Sequence, residues 1–186
     1  MNYRSIFAAS AALLLSSAAA NAAQVAALIG GDTIAMVDTA QKKATGSVKV
    51  TGISGALVGI DVRPADGMLY GLVDDGTIVT IATDGKAMTK SKLDTMLAKG
   101  VAATVDFNPV ADAFRVVSNT GQNLRVDLTG TVTTQGNINS ATGTPSVAGS
   151  AYTNNFAGAT ATTLYGLDDA TDTLVAQDPA TGTVTA

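Results

Sequence analysis

Glutamate, histidine, cysteine and tryptophan are all missing from this chain of 186 residues, and proline occurs only four times. Without cysteine there is no disulfide and no thiol nucleophile. Without histidine there is no imidazole base, and no side chain whose ordinary pKa falls near neutrality. All 15 acidic residues are therefore aspartate, set against 11 lysines and arginines. That acidic balance favours solubility and argues against nucleic acid and anionic lipid as partners. Long apolar runs are missing too. The stretch Ile6 to Leu15 is mostly apolar but rich in alanine, and it is shorter than the roughly 20 residues a spanning helix needs.

That stretch sits in a different pattern. Arg4 and the amino terminus give a positive end, and Ala20-Asn21-Ala22 is a small-x-small cleavage site. Residues 1–22 thus read as an export signal, with an uncleaved anchor or an amphipathic helix as the alternative. Removing 22 of the 186 residues leaves 164, enough for a single domain over residues 23–186. Arg4 leaves with the signal, so ten basic residues against 15 acidic ones give a net charge of −5. The expected location is secreted or periplasmic, with an unknown extracellular or envelope ligand as partner and no membrane insertion after cleavage.

What remains is rich in Thr, Val, Ala and Gly, with glycine and aspartate punctuating runs of five or six residues. This composition points to an all-β chain. The segment Val105 to Val132 shows it best. Val105, Phe107, Phe114, Val116, Leu124 and Val126 alternate with polar positions, and Asn108-Pro109 and Asn119-Thr-Gly121 break the runs. Leu28-Ile-Gly-Gly, Leu69-Tyr-Gly-Leu, Phe114-Arg-Val-Val and Leu164-Tyr-Gly-Leu recur at spacings of 41, 45 and 50 residues, each followed by a turn and a second strand. A period of about 40–50 residues with several strands per copy is the pattern of propeller blades. The expectation is a propeller-like array of about four blades of antiparallel strands, with an irregular sandwich as the alternative. Within it, Lys86 to Lys99 reads as strand or irregular loop, with a single helical turn around Leu93, Met96 and Leu97 as the alternative. Ser140 to Ser150 and Asn154 to Thr162 read as the longest surface connections.

Gly59-Ile-Asp-Val-Arg-Pro-Ala-Asp-Gly-Met-Leu-Tyr-Gly-Leu72, Val105-Asp-Phe-Asn-Pro-Val-Ala-Asp112, Arg115 to Val126, Ala151-Tyr-Thr-Asn-Asn-Phe156 and Gly158 to Tyr165 carry a resemblance. Together they resemble the DUF4394 family of secreted bacterial proteins, over most of Ala27 to Val184. The resemblance implies a repeat-built, propeller-like domain of unassigned function and supplies no catalytic residues. Family members continue with further strands past the segment similar to Asp172 to Val184, so the array is expected to be incomplete at its C-terminal end.

Three groups of residues could carry chemistry. Asp74 and Asp75 before Gly76, and Asp168, Asp169 and Asp172, cluster carboxylates at turns where calcium could find oxygen ligands. Neither run has the spacing or the final glutamate of an EF-hand loop, and hairpin-turn chemistry is the preferred reading of both. Asp61 with Arg63, and Asp66 beyond Pro64, could form a buried ion pair fixing a blade corner. The densest polar group is Ser118, Asn119, Thr120, Gln122 and Asn123 with Arg115 and Arg125, joined to Tyr152, Asn154 and Asn155. Amides and guanidinium groups of this kind bind carbohydrate hydroxyls or a carboxylate, and they also satisfy loop backbone. Arg115 and Arg125 alternating outward on neighbouring strands would share one anion.

No Gly-x-Ser-x-Gly elbow, Ser-x-x-Lys pair or phosphate loop is present. The expected role is an exported, non-catalytic binding or surface-scaffold module requiring no cofactor, with calcium as an option. The alternative is a metal-assisted hydrolase with an Asp and Asn site. It would resemble the propeller lactonases, whose metal site typically includes the glutamate that this chain lacks.

Overall fold

The computed structural model describes residues 24–186; the expected export signal lies outside the described residues. Every regular element among them is a strand, and no helix is long and apolar enough to cross a membrane. The strands form four antiparallel meanders arranged as a four-bladed propeller. Blade 1 comprises β1 (Gln24–Ile29), β2 (Thr33–Asp38) and β3 (Lys43–Lys49). Blade 2 comprises β4 (Leu57–Val62), β5 (Leu69–Val73), β6 (Thr77–Ile81) and β7 (Ala87–Lys92). Blade 3 comprises β8 (Ala103–Asn108), β9 (Ala113–Ser118), β10 (Asn123–Val126) and β11 (Val132–Thr134). Blade 4 comprises β12 (Val147–Tyr152), β13 (Leu164–Asp168), β14 (Thr173–Gln177) and β15 (Val184–Thr185).

Aspartate explains the tight turns. Asp38 accepts the amides of Ala40 and Gln41, Asp75 that of Thr77, Asp84 that of Lys86, Asp127 those of Thr129 and Thr131, and Asp178 those of Ala180 and Thr181. Each carboxylate closes a local ring that stands in for a backbone turn. The abundance of aspartate is thus largely a requirement of a fold with this many hairpins. The segment from Lys86 contains β7, in agreement with the strand expectation. The connection after β11 ends earlier than the sequence suggests, because Val147 to Ser150 already belong to β12.

The blades pack face to face. Blade 1 gives Ile34, with Ala26, Leu28 and Val48, to the back of blade 2, where Leu57, Val73, Val79 and Ile81 are buried. The other face of blade 2, Tyr70, Leu72 and Ile78, closes on Val105, Phe107, Phe114, Val116, Leu124 and Val126 of blade 3. Val117 of blade 3 then meets Val147, Val175 and Val184 of blade 4. This alternation follows from the two-residue period of a strand, which sends successive side chains to opposite neighbours.

Two carboxylates tie the inner strands together. Asp61 of β4 accepts the amide of Phe107 in β8 at 2.7 Å, and Asp106 of β8 accepts that of Tyr152 in β12 at 2.7 Å. Both links span 46 residues, so one device recurs at successive junctions. The expected ion pair of Asp61 with Arg63 does not form. Arg63 instead donates through Nε to Asp112 Oδ1 at 2.8 Å and through Nη1 to Asp66 Oδ2 at 2.6 Å, with Nη2 on Asp112 Oδ2. The reason is position: Asp61 lies within β4 and is engaged by blade 3, whereas Arg63 lies past the strand end and reaches the turn of the next blade. Hydrogen bonding to Arg63 holds the Asp112 carboxyl below its ordinary range.

Candidate functional site

The repeat breaks at one face. On the side of blade 2 that meets blade 3, Tyr70 pairs with Thr80 and Leu72 with Ile78. On the corresponding side of blade 3, Arg115 pairs with Arg125 and Val117 with Asn123. Asp61 stands opposite Tyr70, and Asp106 stands opposite Arg115, which fixes the correspondence. Positions that are largely apolar at one blade junction are therefore cationic and amide-bearing at the next.

Arg115 is only 4% exposed. Its Nε donates to Tyr152 Oη at 3.2 Å, and its Nη1 donates to Asn123 Oδ1 at 2.8 Å and to Gln135 Oε1. Asn123 is itself held, donating through Nδ2 to the carbonyls of Gly136 and Pro179 at 2.9 and 3.1 Å. Its side-chain oxygen is thereby left to face the guanidinium. Gly136 permits this closure, since a Cβ there would lie 2.3 Å from the Thr181 carbonyl oxygen. The partners of Arg115 are all neutral, and among the described residues no carboxylate forms an ion pair with it. A buried cation without a counter-charge keeps a positive potential, because the low-dielectric surroundings screen it poorly.

That potential opens onto space. A cavity of about 190 Å³ is lined by Arg115, Arg125, Asn108, Gln135, Tyr152 and Pro179, among others. Along the adjoining face of blade 4, Tyr152 pairs with Leu164 and Leu164 with Gln177. Gln177 is 4% exposed, and neither its amide oxygen nor its amide nitrogen has a hydrogen-bond partner. Buried polar atoms are rarely left unpaired, so this junction holds more polar capacity than the chain itself uses. Outside the cavity, Asp178 is drawn below its ordinary range, chiefly by the amides of Thr181 and Ala180, with a smaller contribution from the charge of Arg115.

Of the residues singled out from the sequence, Arg115, Asn123 and Arg125 come together with Tyr152. Four others do not join them. Gln122 accepts the amide of Ala98, Asn154 donates to the carbonyl of Ala161 from a left-handed backbone, Asn119 lies exposed in a turn, and Asn155 lies exposed in the loop after β12. Gln135 and Gln177 were not apparent from the sequence. The repeat itself was the available signal, since comparing faces blade by blade exposes the polar substitution.

The aspartates proposed for calcium are spread among turns. Asp75 accepts the amide of Thr77 and pairs with Lys92 Nζ at 3.2 Å, while Asp168 accepts the amides of Ser146 and Ala170 and the hydroxyl of Thr171. Asp74, Asp169 and Asp172 join neither set of contacts. Among the described residues, no three carboxylates gather in a group that could hold a metal ion.

The profile described as "Domain of unknown function (DUF4394)" matches residues 33–186. A search of curated proteins returns no match. Among solved structures, similarity is found to a protein of unknown function from Bacteroides caccae, with 13% identity and a TM-score of 0.50, covering 88% of this chain and 56% of the other. An auxiliary nutrient binding protein from Bacteroides ovatus matches with 17% identity and a TM-score of 0.56, covering 86% and 45%. Another auxiliary nutrient binding protein, from Bacteroides thetaiotaomicron, matches with 18% identity and a TM-score of 0.51, covering 83% and 44%. At these identities the likeness shows the fold alone, and this chain spans about half the length of those it matches.

Proposed function

The chain belongs to the DUF4394 family, and because that family has no assigned activity we propose from geometry that the protein is an exported, non-catalytic module binding a small carboxylate-bearing ligand between blades 3 and 4. The observation that carries this reading is the buried Arg115, with only neutral partners, lining a cavity together with Arg125. Arg115 and Arg125 stand directly opposite each other in the β9–β10 register. Two guanidinium groups so placed can hold the two oxygens of one carboxylate. A cavity of about 190 Å³ takes the acid and the ring bearing it rather than a long polymer. The nutrient-binding description of two proteins of similar fold supports a binding role without naming the ligand.

Titration calorimetry with glucuronate, and with glucose as its neutral counterpart, tests the reading. Uronate binding is expected and glucose binding is not. Replacing Arg115 and Arg125 with methionine is expected to weaken uronate binding at least tenfold, since a hydrogen bond to a charged group contributes about 1.5–3 kcal/mol. Equal affinity for the two sugars, or for the native and doubly substituted chains, would remove the proposal.

No cofactor enters this reading. The Asp75 and Asp168 carboxylates are already engaged by turn amides and hydroxyls. Melting in millimolar calcium and again with chelator is therefore expected to give the same transition. A rise with calcium would turn those turns into ion sites, because a ligand that binds only the native state raises its stability.

A further inference from the structure

The wall that faces Arg115 and Arg125 is changed as well. On the face each blade turns to its predecessor, one row of side chains crosses successive strands. In blade 2 the row is Val62, Leu69 and Ile81, and in blade 3 it is Phe107, Phe114 and Val126. In blade 4 the same pairings give Tyr152, Leu164 and Gln177. Ile81 and Val126 are buried, at 5% and 0% exposure. Gln177 is buried to the same degree, at 4%, but carries a carboxamide whose oxygen and nitrogen are both unpaired.

The junction of blades 2 and 3 shows what this row touches. There Tyr70 meets Phe107 at 5.3 Å and Phe114 at 6.1 Å between ring centroids, with Val126 in the same cluster. Arg115 takes the place of Tyr70 at the next junction, and its bond to Tyr152 repeats the contact of Tyr70 with Phe107. Gln177 therefore belongs to the wall that Arg115 and Arg125 face. Just beyond it, Pro179 lines the cavity and accepts Asn123 Nδ2 through its carbonyl. One junction has thus exchanged apolar for polar groups on both of its walls. An unpaired buried amide costs stability, so folding alone does not account for a glutamine where the sister blades hold isoleucine and valine.

We propose that Gln177 determines which acid this site accepts: its carboxamide pairs with a hydroxyl close to the ligand's carboxylate, so the ligand is a hydroxylated ring acid, of the sugar-acid class, rather than a plain carboxylic acid. The inference rests on the carboxylate reading above. The two arginines hold the acid, and the amide offers both a donor and an acceptor, which a hydroxyl matches in kind. Gln177 is not among the residues lining the cavity. Turning about its side-chain single bonds swings the amide along the wall without moving the backbone.

Titration calorimetry with glucuronate and with cyclohexanecarboxylate, a ring acid without hydroxyls, tests this in the native chain and in two variants. Gln177→Val installs the residue that blade 3 carries at this position, and Gln177→Met keeps the length of the side chain. Each variant is expected to weaken glucuronate binding by about threefold to tenfold, the size of a neutral hydrogen bond or two. Binding of cyclohexanecarboxylate is expected to stay as it was or to tighten. Each variant is also expected to melt roughly 2–10 °C above the native chain, because an unpaired buried amide has been removed. A purely structural glutamine would not combine firmer folding with weaker binding of the hydroxylated acid alone. If the native chain binds neither acid, the carboxylate reading fails and this inference falls with it. If only cyclohexanecarboxylate binds, or if the variants weaken both acids equally or neither, the carboxylate reading stands and the role of Gln177 is overturned. A lower melting temperature in both variants overturns it too, since the amide would then be paired within the fold.

Discussion

Truncating Phe107 to alanine is expected to cost roughly 3–5 kcal/mol of folding stability, the range for removing a large buried aromatic side chain. Phe107 has no exposed surface. Its ring stacks on Phe114 at 4.0 Å between centroids and meets the edge of Tyr70 at 5.3 Å. Those contacts join blade 3 to blade 2, and the Phe107 amide is also the group that Asp61 grips from β4. One side chain thus anchors a junction that has both an apolar and a polar fastening. In a domain of this size 1 kcal/mol corresponds to about 2–4 °C, so the melting temperature should fall by roughly 10 °C. Urea unfolding followed by circular dichroism measures the effect, with Phe107→Leu as the milder comparison. A loss below about 1 kcal/mol would mean that the blades are held chiefly by their inner-strand hydrogen bonds rather than by apolar packing.

Much of this architecture was legible because strands advertise themselves locally. The alternation of Val105, Phe107, Phe114 and Val116 and the Asp and Gly turns need no distant partner to be read. The phase of blade 1 was less legible. Gly30-Gly31 invites alignment of Leu28 with Leu69, but the structure places Leu28 in the register of Leu72, three residues further along. Pairing is fixed by the length of the turn between strands, and a glycine in that turn does not reveal it. The candidate site divides in the same way. Arg115 and Arg125 share a face because they are alternate-facing residues on paired strands. Gln135 enters through the last strand pairing of blade 3, where its amide donates to the Asn123 carbonyl, and Gln177 and the carbonyl of Pro179 enter only through packing between blades, which sequence spacing does not encode. Asp61 and Arg63 show the converse error, since a spacing of two puts side chains on one face without deciding which partner each will reach.

The inner strands carry the second large expectation: the protein is expected to become more stable as the pH falls from about 8 to 5, and Asp106→Asn should abolish most of that gain. Burial between β8 and β12 is the main cause that pushes the Asp106 carboxyl up to about 7, and the charge of Asp61 adds to it against the opposing amide of Tyr152. Burial raises Asp61 as well. Arg115 stands opposite Asp106 in the β8–β9 register, but its guanidinium turns toward Tyr152, Asn123 and Gln135 and forms no ion pair with Asp106. A carboxyl whose folded pKa exceeds its unfolded value binds more protons when folded, so stability rises as pH drops through the interval between the two and levels off below about 4. The full displacement corresponds to about 4 kcal/mol, from 1.36 kcal/mol for each unit, of which about 3 kcal/mol is gained between pH 8 and 5 and the rest below pH 5. Asp66, Asp112 and Asp127 lie below their ordinary range, so their opposing effect appears only in stronger acid. The chain has no histidine to titrate in the same window. Melting curves at pH 5 and 8 should therefore differ by roughly 5–15 °C in the native chain, and little in Asp106→Asn, whose side-chain oxygen can still accept the Tyr152 amide. An equal slope in both proteins would show that Asp106 is not the group that responds. A flat profile in the native chain would show that water reaches the inner strands and keeps this carboxylate charged at neutral pH.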